Sequence, residues 1–548
     1  MKIKYKIFFL SLSISFSVFG CAAIGKMVAD SLTENTNSIK NLALKAYYVN
    51  NLYPTETNTT SLDYSGSNWK EGKSAVTISL LKKTGLGLYK LNGEILVNGD
   101  PVKYIGAGSY TKYLDEFENK PQIVTIKSKS GEESSITIDP PKSVKLLSIN
   151  GEKENPEIDL SSDLELEFDN FNNLEKDEKI KVSLLMDVLG VREFVDIGIF
   201  KPVKKLKIPN AALKNLSVTA SASGVAEINS GKNFLRVERY KVKKEKPLII
   251  PVSQSVSMSW STMPVILKGK TIQNRGIKIE GFSKNTQDGL RYNFFKPNAF
   301  YGKPFSKAKK LALTSLSVRG SLRHVESFSN DKTVGGITTT TTTKIVRQFP
   351  NLPNAFWDQL LNNVYKDLIK VLKENNIELI PVEKTLQAKE YKFLSTIDEE
   401  NNIYKISKTY KGLKSLMPTF DTIIKQLSAT IPTDRAEIKL LNELNVDGLI
   451  GLSFDVNIDP KSEKIILNPI LSVKITGGAN GYTVGPVEYM SGSIIGNGSP
   501  FSEKELSNIN ALNKIIKKDQ IMSLFKNSIK EMKKQEKEFG YDAIWDLQ

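Results

Sequence analysis

Cys21 and His324 are the only cysteine and the only histidine in 548 residues. Thiol and imidazole chemistry must therefore rest on these two positions. His324 lies in "GSLRHVESFSNDK", a polar loop or strand with no Gly-x-Ser-x-Gly nearby. A Ser-His-Asp or Cys-His arrangement would depend on it alone, so a structural role is expected. Metal sites built on several His or Cys ligands are excluded by count. "DVNIDPKSEK" carries carboxylates but lacks the glycine and terminal glutamate of an EF-hand loop. No Gly-Lys-Ser or Gly-Lys-Thr falls in a strand-to-helix turn, which excludes a phosphate loop. A glycosidase needs only two carboxylates, and nothing in the sequence marks such a pair. No catalytic residue, cofactor or metal ligand is expected.

Cys21 ends an apolar run, Ile7 to Phe19, that follows Lys2, Lys4 and Lys6. Three readings compete: a transmembrane helix, a reactive thiol, or a lipid attachment point. The run is short of the roughly 20 residues that span a bilayer, and it has the basic-then-apolar order of a signal peptide. A lone cysteine has no internal disulfide partner. Val18-Phe19-Gly20-Cys21 resembles a bacterial lipobox, with a bulky Phe19 as its one departure. That resemblance implies cleavage after Gly20 and a diacylglyceryl group on Cys21, with an uncleaved signal anchor as the alternative. Each buried CH₂ contributes about 0.8 kcal/mol, so two or three chains would hold the protein on a membrane. Ala22 follows the cysteine, where an aspartate would signal inner-membrane retention. The expected location is the cell envelope, at the outer membrane.

The formal charge is +16. Loss of residues 1–20 removes three lysines and no acid, so the chain stays basic. Such a balance suits anionic partners, but the lysines are scattered among acids. "RVERYKVKKEKP" reads as an exposed strand, and export argues against nucleic acid.

The elements fall in blocks. Residues 21–72 are rich in Asn, Thr and Ser and read as a tether, with one possible strand at "LALKAYYV". From 73 to 265, short runs of alternating apolar residues bounded by Gly, Asn, Asp and Pro read as strands. "DPPK" at 139–142 divides them into a small β module, 73–139, and a second module, 140–265. "SVKLLSINGEKENPEIDLSSDLELEFDN" resembles the opening of an immunoglobulin-like bacterial sandwich. Residues 266–308 read as a connector with some short strands. From 309 to 500 strands and helices alternate in an α/β (α+β) layer fold. Asn354 is placed to cap a helix over "AFWDQLLNNVYKDLIKVLKENN", whose Leu360, Val364 and Leu368 share one face. That helix should pack on Leu311–Val318 and Leu449–Val456. A further helix is expected near Pro418–Leu427, and Asp434 with Glu437 forms a capping box. Ser502 and Glu505 open the C-terminal helices, 501–548. The fold class is multidomain: all-β modules, one immunoglobulin-like, then an α/β domain.

The order of strand, helix, strand, helix, "LNVDGLIGLSF", hairpin and small-residue strand resembles a group of envelope lipoproteins. The group includes the curli secretion channel subunit, the lipoprotein activators of penicillin-binding proteins, and the amino-terminal domain of the Tol translocation protein. The resemblance covers roughly 309–500 and implies a binding role with no active site. "GGITTTTTTK" at 335–344 favours extended structure, and an ordinary long hairpin or mobile loop is expected around Thr338–Thr343 rather than a strand pair of a membrane barrel. Two function classes remain. One is a non-catalytic lipoprotein that meets the membrane through Cys21 and binds an envelope protein or a cell-wall polymer. The other is an exported glycan hydrolase working through carboxylates. The oligomeric state is not legible.

Overall fold

The computed structural model describes residues 33–547 apart from 54–70, 83–87, 107, 170, 172–173, 176, 189–190, 215, 217–224, 228–232, 273–288, 395–404, 417–435, 460–464, 479–485, 502 and 507. Cys21, the helix expected near Pro418–Leu427, Asp434 and Ser502 lie outside the described residues. The chain is β-rich and forms several sheets.

An eleven-stranded sheet dominates the first half. Its middle holds β1 (Leu42–Asn50), which runs antiparallel to β2 (Ser74–Lys82) and parallel to β3 (Val252–Lys268). Leu42, Leu44, Ala46, Tyr48 and Val49 of β1 are all buried. This is the strand expected at "LALKAYYV", and its burial makes it part of the core rather than of a tether. The long strand β3 also spans the expected modules. Its first half pairs with β1, and its residues Ser253–Val265 pair with Asn233–Glu245. The sheet continues from Asn233–Glu245 through Lys179–Val188 to Val191–Phe200. A four-stranded sheet covers the β1–β2 face through Val97, Val124, Ile126 and Ile138. A three-stranded sheet, Leu146–Ile149, Leu164–Phe168 and Lys205–Ile208, packs on the Lys179–Phe200 region around Leu166, Phe168, Val182 and Val237. The two modules therefore share one continuous sheet. Asp139–Lys142 links the layers and lies in no strand.

The second half is built on seven strands. The central pair, β4 (Lys310–Ser321) and β7 (Gly448–Ile458), is parallel. Between them run a hairpin of β5 (Arg323–Val334) and β6 (Ile337–Gln348), and then helix α1 (Asn354–Glu374). Residues 311–318 of β4 are buried without interruption, as a strand covered on both faces must be. Leu360, Leu361, Val364, Leu368 and Leu372 of α1 pack in the same core as Leu311–Val318 and Leu449–Val456. The expected Asn354 cap is not made: Pro353 precedes the helix and no side chain caps it. The connector also changes role, because Leu290–Phe295 is the edge strand beside Glu488–Gly496. Helix α2 (Lys518–Glu538) joins this core through Ile521, Leu524, Phe525 and Ile529. Gly540 then turns the chain at φ +68°, where glycine is favoured. Helix α3 (Tyr541–Leu547) sends Tyr541 and Ile544 into the core of the first half. Among the described residues no helix is long and apolar enough to cross a membrane.

Candidate functional site

His324 lies on β5 with its Nε2 3.3 Å from Glu326 Oε1, and its backbone pairs opposite Arg347. Asp455, from the run read for calcium, is held by Arg319 Nε at 3.0 Å and accepts a hydrogen bond from Ser453. Among the described residues no three His, Cys, Asp or Glu side chains converge as metal ligands. The histidine and carboxylates singled out in sequence are not brought together.

The chemistry-bearing cleft lies instead at "DPPK". Pro140 and Pro141 fix φ and lack N–H donors, so this link joins neither flanking sheet. It leaves a cleft of about 680 Å³ between the layers, within the usual range of about 300 to 1,000 Å³ for small-ligand sites. Asp139 is anchored where its carbonyl accepts from Ser257 Oγ at 2.7 Å. Phe117 and Asn119 line the cleft. The loop carrying them is pinned by Tyr48, whose hydroxyl donates to the Glu118 carbonyl at 2.5 Å and accepts from the Glu118 N–H at 3.2 Å. Phe117 packs 5.9 Å from the Tyr48 ring yet remains 39% exposed.

Lys142, Glu175 and Arg239 also line the cleft and belong to a charge lattice. Lys142 Nζ bridges Glu175 at 2.9 Å and the buried Glu178 at 2.8 Å. Arg239 donates from Nε (3.1 Å) and Nη2 (2.5 Å) to Glu178, and from Nη1 to the Ser143 carbonyl at 3.0 Å. Its guanidinium lies 5.1 Å from the Phe171 ring centre, a cation–π contact that fixes the ring's orientation. Lys241 also binds Glu175. Hydrogen bonds from Lys142 and Lys241 hold the Glu175 carboxyl down to about 2. A general acid needs the opposite shift. Asp169 donates its backbone N–H to the Lys145 carbonyl at 2.9 Å, closing the rim.

Two aromatic rings over a rim of amide, carboxylate and ammonium groups suit a ligand with both C–H faces and hydroxyls. The sequence reading passed over Phe117, Phe171 and Arg239. The signal for them was the link itself, because clefts favour junctions between layers.

A second ionic cluster is closed. Lys296 Nζ donates to the Tyr489 and Lys303 carbonyls at 2.8 and 2.6 Å and to Glu536 Oε1, and Glu536 Oε2 accepts from the Phe305 N–H at 2.8 Å. Both side chains are 3% exposed. Burial pulls Lys296 below the ordinary lysine range and pushes Glu536 above the ordinary carboxylate range. This pair fastens α2 to the segment before β4.

No family model matches the chain, and no curated protein matches it. Three solved structures show weak likeness. Murine CEACAM1b has 10% identity and a TM-score of 0.11, over 41% of this chain and 99% of that one. A bacterial ice-binding adhesin retained at the host cell surface has 10% identity and a TM-score of 0.11, over 56% and 84%. A Bacteroides ovatus mixed-linkage glucan utilisation protein, SGBP-B, bound to a heptasaccharide, has 9% identity and a TM-score of 0.12, over 60% and 84%. Scores this low carry no argument about this chain.

Proposed function

We propose that this chain is a non-catalytic lipoprotein of a bacterial envelope, anchored through Cys21 and directed to the outer membrane. Its partner is a cell-wall polymer held in the cleft at Asp139–Lys145. The finer fold belongs to the same reading: an immunoglobulin-like sandwich over 140–265, and a second half akin to the envelope lipoprotein group named above. One observation carries the proposal: the cleft presents Phe117 and Phe171 beside Asn119, Asp139, Asp169 and Lys145. Sugar rings offer apolar faces to aromatic rings and hydroxyls to amides and carboxylates, so a glycan fits both features. The ion pairs of Glu175 with Lys142 and Lys241 support a binding role, because they hold that carboxylate charged.

Binding is tested with purified sacculi and soluble peptidoglycan fragments. Retention of the wild type, reduced about tenfold or more by Phe171→Ala and Phe117→Ala together, supports the reading. Equal retention of wild type and variant removes the cleft from it. Turnover of the glycan, abolished by Glu175→Gln or Asp169→Asn, replaces it with the hydrolase alternative.

A further inference from the structure

The hairpin β5–β6 stands apart from both cores. Its twelve-residue strands pair in unbroken register, from Arg323 opposite Gln348 to Val334 opposite Ile337. Gly335 and Gly336, at φ +59° and +79°, form the two-residue turn that suits the twist of such strands. Among the described residues no third strand pairs with either edge. A lone hairpin is marginal in water and is stabilised by further strands. Natural edges are guarded by lysine, proline or bulges. Ile337–Thr343 has none of these and no charge, whereas the β5 edge carries Glu326, Asp331 and Lys332.

Side-chain alternation fixes what each face shows. Ile337, Thr339, Thr341 and Thr343 share a face with their partners Val334, Lys332, Asn330 and Phe328. Phe328, Val334 and Ile337 are 56%, 66% and 74% exposed. The other face joins hydroxyls across the strands, Ser329 to Thr342 at 3.1 Å and Thr333 to Thr338 at 2.9 Å.

We propose that the Ile337–Thr343 edge is a self-association surface, whose occupant is the same edge of a second copy, antiparallel and centred on Thr340. In this register Ile337 opposes Thr343 of the second copy. The row Val334–Ile337 is thereby extended by Thr343 and Phe328 of that copy, and the two-fold repeats it. On the opposite face Thr338 meets Thr342 of the second copy, joining two hydroxyl pairs into one row of four. No charge faces a like charge. The two folded bodies lie at opposite ends of the four-stranded ribbon, so the contact closes as an isologous dimer. Lipid is a poorer occupant, because a membrane strand carries large apolar residues at alternate positions, and Thr339 and Thr341 fill those places here.

The test uses the whole chain with Cys21 kept, in detergent and in the cells that make it, and the wild type is the control for any link through Cys21. Thr340 is self-opposed, so Thr340→Cys should cross-link into a dimer on mild oxidation, and Thr333→Cys on the other edge should not. Light scattering should give twice the chain mass, falling to the monomer with Thr340→Lys while the melting curve is unchanged. Equal linking of the two cysteine variants, a mass unaffected by Thr340→Lys, or cross-linking of Thr340→Cys only to a different polypeptide would each overturn the proposal, the last in favour of a partner's strand.

Discussion

The Lys296–Glu536 pair allows a prediction that separates fastening from net stabilisation. Glu536→Ala removes the carboxylate that neutralises a 3% exposed ammonium and also orphans the Phe305 N–H. Breaking one side of a buried pair costs about 3 to 5 kcal/mol, a large share of the roughly 5 to 15 kcal/mol that holds a domain. Replacing both partners by neutral groups of similar shape is close to neutral in other buried pairs. Lys296→Met with Glu536→Gln tests this, since the glutamine oxygen can still accept from Phe305. The direction of both ionisation shifts agrees. Burial favours the uncharged form of each partner, so the charged state is tolerated rather than favoured. Urea unfolding is followed by tryptophan fluorescence. Trp545 serves as the local reporter, because its Nε1 donates to the Ala299 and Gly302 carbonyls at 2.8 and 2.9 Å. The single variant should lose about 3 to 5 kcal/mol and the double variant less than half of that. A single-variant loss under about 1 kcal/mol, or a double variant as weak as the single, refutes the reasoning.

Three further outcomes are expected. A fatty-acid probe fed to producing cells should label the wild type and not Cys21→Ser; equal labelling would remove the lipid anchor. Leu360 is fully buried between α1 and the central strands, so Leu360→Ala should cost about 2 to 5 kcal/mol in chemical denaturation, whereas a loss under about 0.5 kcal/mol would place it at a surface. Glu175 titrates at about 2 against the ordinary 4.5, so its contribution is complete above about 4.5 and is lost as pH falls towards 2; a carboxyl NMR titration with a midpoint near 4.5 would break the Lys142–Glu175–Lys241 lattice assigned here.

What the sequence showed and what it hid follow from range. Helix α1 was legible because Leu360, Val364 and Leu368 repeat at the helical period, and the strands on either side are apolar runs too continuous to be exposed. Strand β1 was half-legible: "LALKAYYV" reads as a strand, but its partner Val252–Lys268 lies about two hundred residues away. No local pattern carries such a pairing, so polar flanks dominated and the segment looked like a tether. Short strands are expected in the connector, but the pairing that makes Leu290–Phe295 an edge strand, with Glu488–Gly496, is as distant. The Asn354 cap failed for a local reason. Pro353 already sets the backbone entering the helix, whereas Asn508 caps its helix by accepting from the Asn510 and Ala511 N–H groups.

The cleft shows how range limits a functional reading as well. Its link is written plainly as "DPPK", but its walls come from Phe117, Phe171 and Arg239, which only the fold brings to that link. Arg239 sits in a run that alternates like an exposed strand. In the folded chain it is buried, and its charge is spent on Glu178, the Ser143 carbonyl and the Phe171 face. The positive balance of the whole chain is therefore a poor guide to this site. Lys142, Arg239 and Lys241 are already committed to Glu175 and Glu178, which leaves the aromatic rings, the neutral and acidic rim and the single ammonium of Lys145 to select the ligand. On that argument binding in the cleft should depend weakly on salt, because exposed charge pairs are what salt screens. Retention on sacculi that is unchanged by added salt and lost with Phe117 and Phe171 would fit a glycan held by ring faces. Retention that collapses with salt and survives loss of the rings would assign the contact to scattered surface lysines instead.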